Sequence, residues 1–455
     1  MSELHPVAAR YARHVNPAFV KLLGVLGYGR VYTRASGVEL TDSDGRRYLD
    51  FLAGFGASNL GHGHPRLLRR LGDALGEELP HVMHVGPSSV AAELAEALAE
   101  AAGAPFQVAM MATSGAEAVE AGLKIARAAT RRAGVVSCRG GFHGTSLGAL
   151  SVMGAERMRA PFEPLLAGCE AVPFGDLGAL GRVLERRRAA AFLVEPIQGE
   201  GGVVMPPRGY LRDAAALCRR HGTLLVLDEV QTGLGRTGAL FAFTAEGVIP
   251  DVLVLGKALG GGLLPVSAAL VSEKLHSAAY GSVETFDLHG STFSGYALGC
   301  VAALETLRII KDERLSENAA ARGQELLDGL RARLAGHPMV REVRGRGLLV
   351  GIELGPPDSG GLFGRLAARV TRAVSKNVFG QWLALRLLER GIVCQPAALR
   401  WDVLKLEPPL TVEAEHIRRV VDEVGAVLDD YRDLAPLLAD VTTRLGRQLL
   451  SGWSF

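Results

Sequence analysis

Short runs of uninterrupted apolar residues alternate with amphipathic stretches through the middle of this chain. Ala191-Phe192-Leu193-Val194 ends at Glu195, Thr223-Leu224-Leu225-Val226-Leu227 ends at Asp228-Glu229, and Asp251-Val252-Leu253-Val254-Leu255 is stopped by Gly256, just before Lys257. Helical periodicity fills 210–220 between the first two runs. Strands that are apolar on both faces and separated by helices predict a mainly parallel sheet covered on both sides. In such sheets the working residues gather at the carboxyl ends of the strands, which here are Glu195, Asp228 and Lys257. Beyond about residue 310 the pattern changes. Amphipathic helices at 313–334 and 362–390 surround short strands at Gly347-Leu348-Leu349-Val350-Gly351-Ile352 and Leu404-Lys405-Leu406. This predicts a large domain over 65–310 and a smaller α+β domain over 311–455. Residues 1–64, with strand-like Val38-Glu39-Leu40-Thr41-Asp42 and the turn Asp44-Gly45-Arg46, are expected to associate with the small domain, and 356–361 to form a loop.

Composition narrows the class. The 455 residues are 48% hydrophobic, enough for a sizeable core, and the formal net charge is only +2, which argues against a nucleic-acid surface. Arg186-Arg187-Arg188 reads as a solvated helix face. Five scattered cysteines with no Cys-x-x-Cys pair fit a reducing cytoplasm. The N-terminus lacks the pattern of a secretory signal, and no run of about 18 uncharged apolar residues predicts a membrane span. A cytoplasmic protein with no membrane partner is the expectation.

Lys257 sits between an apolar strand and the glycines of Gly260-Gly261-Gly262. Burial lowers a lysine pKa, and a neutral amine is the nucleophile that condenses with an aldehyde. Taken alone, the residue fits equally a buried stem with its head in water. Asp228 places a carboxylate at the end of an apolar strand, where it meets the need of pyridoxal phosphate (PLP) for an anion beside its protonated ring nitrogen. A helix N-cap is the competing reading. Gln231, three residues on, is within reach of the cofactor's phenolic oxygen. Thr113-Ser114-Gly115-Ala116-Glu117-Ala118 opens a helix whose free N–H groups and dipole suit a phosphate, although Ser114 and Glu117 also spell a capping box. Phe142, beside His143 and after Gly140-Gly141, suits stacking on a flat ring or simple loop packing. Gly290-Ser291-Thr292-Phe293 offers hydroxyls for a phosphate, or an ordinary turn.

Together these segments resemble the class III aminotransferases, whose members include ornithine, acetylornithine, 4-aminobutyrate and putrescine aminotransferases. The resemblance runs through Gly45-Arg46-Arg47-Tyr48-Leu49-Asp50-Phe51, Gly61-His62-Gly63-His64-Pro65, Ser114-Gly115-Ala116-Glu117-Ala118, Phe142-His143-Gly144, Glu195-Pro196-Ile197-Gln198-Gly199-Glu200-Gly201-Gly202, Asp228-Glu229-Val230-Gln231-Thr232-Gly233, Gly256-Lys257-Ala258-Leu259-Gly260-Gly261-Gly262 and Gly290-Ser291-Thr292-Phe293. It implies an α/β PLP-dependent transferase of fold type I, with a seven-stranded-type sheet in the large domain and both termini in the small one. It implies that Lys257 forms the Schiff base and shuttles the proton, that Asp228 pairs with the pyridinium and that Gln231 meets the phenolic oxygen. Phe142 would stack on the ring, with His143 beside it, Ser114, Gly115 and Ala116 would cradle the phosphate, and Glu195 would support the surroundings. Thr292 would reach the neighbouring subunit's phosphate, which makes the expected assembly a homodimer with composite sites, with a tetramer left open.

The pattern departs at one position. Where ornithine and 4-aminobutyrate aminotransferases carry an arginine ahead of Pro-Pro-Leu, paired with the residue at Glu200, this chain has Lys405 in Leu404-Lys405-Leu406-Glu407-Pro408-Pro409-Leu410. Lysine lacks the planar fork that matches a carboxylate, and the loss of one such bond costs roughly tenfold or more in acceptor affinity. Arg400 is the nearby substitute. With Tyr28 near the expected substrate contacts, the substrate set is Tyr28, Glu200 and Lys405, and the expected reaction is ping-pong transfer of a terminal amino group from a diamine, ω-amino acid or simple amine to a keto acid or aldehyde. The alternatives are an aminomutase of the glutamate-1-semialdehyde type, a decarboxylating transaminase, and a silent PLP-binding relative.

Overall fold

The computed structural model describes residues 5–26, 28–355 and 379–431. The loop expected at 356–361 and most of the helix expected at 362–390 lie outside the described residues, and helix is present at 379–389. Two helices, Pro6–His14 and Pro17–Leu26, precede three antiparallel strands, β1 (Tyr32–Ser36), β2 (Glu39–Asp42) and β3 (Arg47–Asp50).

Seven strands follow: β4 (Val108–Ala112), β5 (Gly134–Cys138), β6 (Cys169–Val172), β7 (Ala189–Val194), β8 (Leu224–Asp228), β9 (Val252–Leu255) and β10 (Ser267–Val271). They form one sheet in the order β4-β10-β9-β8-β7-β5-β6, parallel except for β10, which runs against both neighbours. Strand alternation divides the side chains of its centre. Val226, Val252 and Val254 pack with Val119, Leu123 and Ile125 of helix Gly115–Thr130 on one face. Leu225, Leu227, Leu253 and Leu255 join the core beneath helices Tyr210–His221 and Ala297–Asp312 on the other. With both faces covered, uninterrupted apolar runs are what the strands require. Gly122 lets the first helix approach closely, since a Cβ there would lie 3.3 Å from Val226 Cγ1.

The remaining strands are β11 (Val340–Arg346), β12 (Leu349–Leu354), β13 (Ile392–Val393), β14 (Gln395–Ala397) and β15 (Arg400–Leu406). Four make an antiparallel sheet, β11-β12-β15-β14, while β13 runs parallel to β3, so the beginning and end of the chain share a sheet. The strand expected at 347–352 begins two residues later, because Gly347 (φ +57°) belongs to the turn that joins β11 to β12. The helix expected at 313–334 spans Leu315–Arg333. Arg186 pairs with Glu170 at 3.0 Å, both exposed, so the arginines are solvated as expected; they do not lie on a helix face, because helix Leu177–Leu184 ends before them and Arg187 turns at φ +51°. Nearby, at the amino-terminal ends of β5 and β7, a cleft of about 600 Å³ is lined by Arg131, Arg132, Arg187 and Arg188 and lies at the sheet edge away from Lys257. Among the described residues no helix is long and apolar enough to cross a membrane, and all five cysteines are free.

Arg236 ties three segments together from a fully buried position. Its guanidinium donates to the Leu348 carbonyl at 3.0 Å, to the Pro408 carbonyl and to Asn59 Oδ1. Arg236→Ala would strand these acceptors, at a cost of about 3–5 kcal/mol, so thermal denaturation should show a Tm lower by roughly 5 °C or more. A shift of under a degree would mean the contacts hold nothing together.

Candidate active site

Three strands deliver their last residues to one edge of the large sheet. β7 leads into Glu195, β8 ends in Asp228, and β9 leads through Gly256 to Lys257. Lys257 adopts φ +45°, a left-handed conformation that costs a non-glycine residue of order 1–3 kcal/mol and is typical of functional positions. The turn is crowded on purpose: a Cβ on Gly256 would lie 2.7 Å from Ser267 Oγ and 3.3 Å from Gly115 Cα. Lys257 and the start of helix Gly115–Thr130 are thereby brought side by side. Burial lowers the Lys257 pKa, opposed by the nearby charge of Glu407.

Asp228 is buried. Its Oδ2 lies 2.8 Å from His143 Nδ1, and its Oδ1 accepts the Val230 N–H at 3.0 Å. Burial opposes a charged His143, but the hydrogen bond and charge of Asp228 prevail and raise its pKa. Among the described residues, buried His143 Nε2 has no hydrogen-bond partner. Glu195 accepts N–H bonds from Phe142 at 3.0 Å and Gly199 at 3.1 Å, and burial raises its pKa to about 7. Phe142 is thus fixed by its backbone with its half-buried side chain beside this group.

Ser114 is the helix N-cap, its Oγ accepting the Glu117 N–H at 3.2 Å, so the capping reading is correct for that side chain. Glu117 turns back to the N–H and hydroxyl of Thr113, each at 2.7 Å. The first-turn N–H groups of Gly115 and Ala116 still lack helical acceptors and suit an anion. A Cβ on Gly115 would lie 2.8 Å from Val230 Cγ1, so the helix start rests on the turn that follows Asp228.

A second charged group completes the site. Lys405, fully buried, is ion-paired with Glu200 Oε1 and lies 2.9 Å from Glu407 Oε2. Burial works against its charge, yet Glu407 and Glu200 together raise its pKa. Glu200, despite burial, falls to about 2 chiefly through Lys405. Gln231 Nε2 donates to Glu200 Oε1 at 3.1 Å and to the Phe55 carbonyl at 3.3 Å. The Lys405 ammonium lies 5.4 Å from the centre of the Phe55 ring. Arg400 does not substitute for the missing arginine, since it is engaged by Asp402 at 2.7 Å and by Glu353 at 3.1 Å.

Two expected residues stand apart. Tyr28 is buried near Cys394 and Tyr32, and Thr292 lies in an exposed turn, its carbonyl 2.8 Å from His84 Nε2. Among the described residues no hydrogen bond or ion pair joins either one to the Lys257 group. Two neighbours escaped the sequence reading. Glu407 lies just past the end of β15, two residues after Lys405, and the alternation along Lys405-Leu406-Glu407 carries that signal. Phe55 follows Gly54 in a left-handed pair (φ +59° and +60°) that no sequence pattern announces.

Among the described residues no group of three or more His, Cys, Asp or Glu could hold a metal ion. The donor set fits a phosphorylated aromatic aldehyde instead: a buried lysine whose pKa is lowered for the carbonyl, a buried carboxylate braced by histidine for a ring N–H, and open helix N–H groups for a phosphate. An α/β fold with these groups on one sheet edge defines a PLP-dependent transferase of fold type I. The family described as "Aminotransferase class-III" matches residues 26–428. A putrescine aminotransferase of Pectobacterium atrosepticum is 37% identical over 444 residues, spanning 94% of this chain and 90% of that protein. Aminotransferase PigE of a Serratia species is also 37% identical, over 92% of this chain, which spans only 53% of PigE. Among solved structures, an ornithine aminotransferase from Toxoplasma gondii with partial occupancy of PLP at its active site superposes with a TM-score of 0.79 at 33% identity, covering 89% of this chain and 91% of that one. The chain belongs to the class III aminotransferases. It is a PLP-dependent transaminase that moves an amino group from an amine donor to a keto acid acceptor.

Proposed function

We propose that the enzyme is an ω-aminotransferase, taking a terminal primary amine as donor and passing the amino group to a keto acid or aldehyde. The observation that carries this reading is the state of Lys405: buried and gripped by Glu200 and Glu407, it has no planar, free cation to offer an α-carboxylate. The likeness to a putrescine aminotransferase supports the same choice.

PLP, when bound, supplies an electron sink for the carbon that loses its proton. The residues around it divide the remaining work. Lys257 would hold the cofactor's aldehyde, and its amine would serve as base and acid for the proton that leaves the donor carbon. Asp228, braced by His143, would hold the ring N–H. Ser114, Gly115 and Ala116 would receive the phosphate, Phe142 would cover a ring face, Gln231 would turn from Glu200 and the Phe55 carbonyl to meet the phenolic oxygen, and Glu195 fixes the Phe142 backbone. Thr292 would serve the partner subunit's phosphate in a homodimer. Support for that assembly is the exposed apolar side chains beside Thr292, with Phe293 55%, Phe286 66% and Leu288 57% exposed.

Purified protein should be yellow and should bleach when mixed with putrescine or another ω-amine alone, in the absence of acceptor. Alanine and glutamate, whose only amine is α to a carboxylate, should bleach it at least about tenfold more slowly. Faster bleaching by the α-amino acids would overturn the donor class.

A further inference from the structure

We propose that Glu407 is the anchor of a buried cation subsite that takes the distal ammonium of a diamine donor. The inference rests on the ω-amine reading above and narrows it to donors carrying two amines.

The first support is a charge imbalance. Glu200, Glu407 and Lys405 are all buried, Lys405 and Glu407 fully, and they set two carboxylates against one ammonium. Arg236 lies near enough to feel Glu407 and Asp50, but its hydrogen bonds go to Leu348, Pro408 and Asn59. Counting those two adds one fixed cation and one carboxylate, so the deficit of a single positive charge persists. Lys257, the other amine of the site, would hold the cofactor's aldehyde and so would not be free to pair with either carboxylate. An unmatched charge held away from water is costly unless something meets it.

The second support is an unpartnered acceptor. Glu407 Oε2 lies 2.9 Å from the Lys405 ammonium; among the described residues neither buried carboxylate oxygen has a hydrogen-bond partner, and no ion pair reaches Oε1. It rests against the backbone of Gly56, where an added Cβ would collide with it. Gly56, at φ +77°, ends the left-handed stretch that also presents Phe55. The aromatic ring beside the Lys405 ammonium shows that this corner already accommodates a cation against a π-face. Glu407 also heads the charged groups that act on the Lys257 amine, so the open acceptor and the reacting amine share one site. One end of a diamine at Lys257 and the other at Glu407 Oε1 would supply the missing positive charge.

The test compares putrescine with n-butylamine, equal in chain length but lacking the second ammonium, on the holoenzyme. Wild-type kcat/KM should favour putrescine by about tenfold to a hundredfold, the range of one charge-assisted hydrogen bond. Glu407→Gln should cut that ratio by at least tenfold, mainly through the KM for putrescine, and Glu407→Asp should recover part of it. A ratio unchanged within twofold in folded Glu407→Gln overturns the subsite and leaves the ω-amine reading intact, whereas failure of every terminal amine as a donor overturns that reading itself. Should the glutamine variant not fold, the wild-type series 1,3-diaminopropane, putrescine and cadaverine decides. A fixed anchor demands a chain-length optimum absent from the matching monoamines, and parallel profiles for the two series refute it.

Discussion

Lys257→Ala should lose at least about four orders of magnitude in turnover while remaining soluble. General acid–base catalysis by a positioned side chain alone contributes roughly 10²–10⁴, and the variant also loses the nucleophile that anchors the aldehyde. The site contains two buried lysines, and their surroundings drive them apart. Lys405, gripped by Glu407 and Glu200, has its pKa raised and is held as the ammonium. Lys257 has its pKa lowered by burial, which favours the free amine. Only the second is suited to attack a carbonyl or to accept a proton from carbon. Borohydride treatment followed by peptide mass spectrometry should therefore find a pyridoxyl adduct on Lys257 in the wild type and on no lysine in the variant. Turnover within tenfold of wild type, or an adduct on Lys405, would reverse these assignments.

Much of this site was legible because parallel strands buried on both faces must be apolar throughout, which makes a polar terminus conspicuous. Glu195, Asp228 and Lys257 stand out for that reason, and the structure sets them on one edge of the sheet. The start of helix Gly115–Thr130 was legible twice over, since Ser114 caps the helix while the next N–H groups stay open. What sequence could not supply was contact between distant segments. The 2.8 Å approach of His143 to Asp228 joins residues 85 apart, and Lys405 meets Glu200 across 205. Arg236, in a glycine-rich stretch with no apolar pattern of its own, spans three segments from a fully buried position. Pairing with Glu200 was anticipated for position 405, but the second carboxylate was not. Its presence turns a weakened carboxylate clamp into a group with negative charge to spare.

Asp228→Asn should lower kcat by about 10²–10³ at saturating cofactor, the scale of removing one preorganised electrostatic partner. The substitution keeps volume and planarity and removes only the charge, so packing around the 4%-exposed side chain should survive. What changes is the proton inventory. The carboxylate accepts from Val230 N–H through Oδ1 and faces His143 Nδ1 through Oδ2, and its charge is part of what raises His143 against the effect of burial. An amide cannot supply the charge that favours protonation of His143 or of the pyridine nitrogen, so the ring would lose the positive charge that makes it an electron sink. If charge rather than shape is responsible, an N-methylated cofactor, cationic without any proton, should restore part of the activity of Asp228→Ala, whose smaller side chain leaves room for the methyl group. A kcat loss below threefold in Asp228→Asn, measured with cofactor in excess, would show that this carboxylate only positions His143 and leaves the ring's charge to another group.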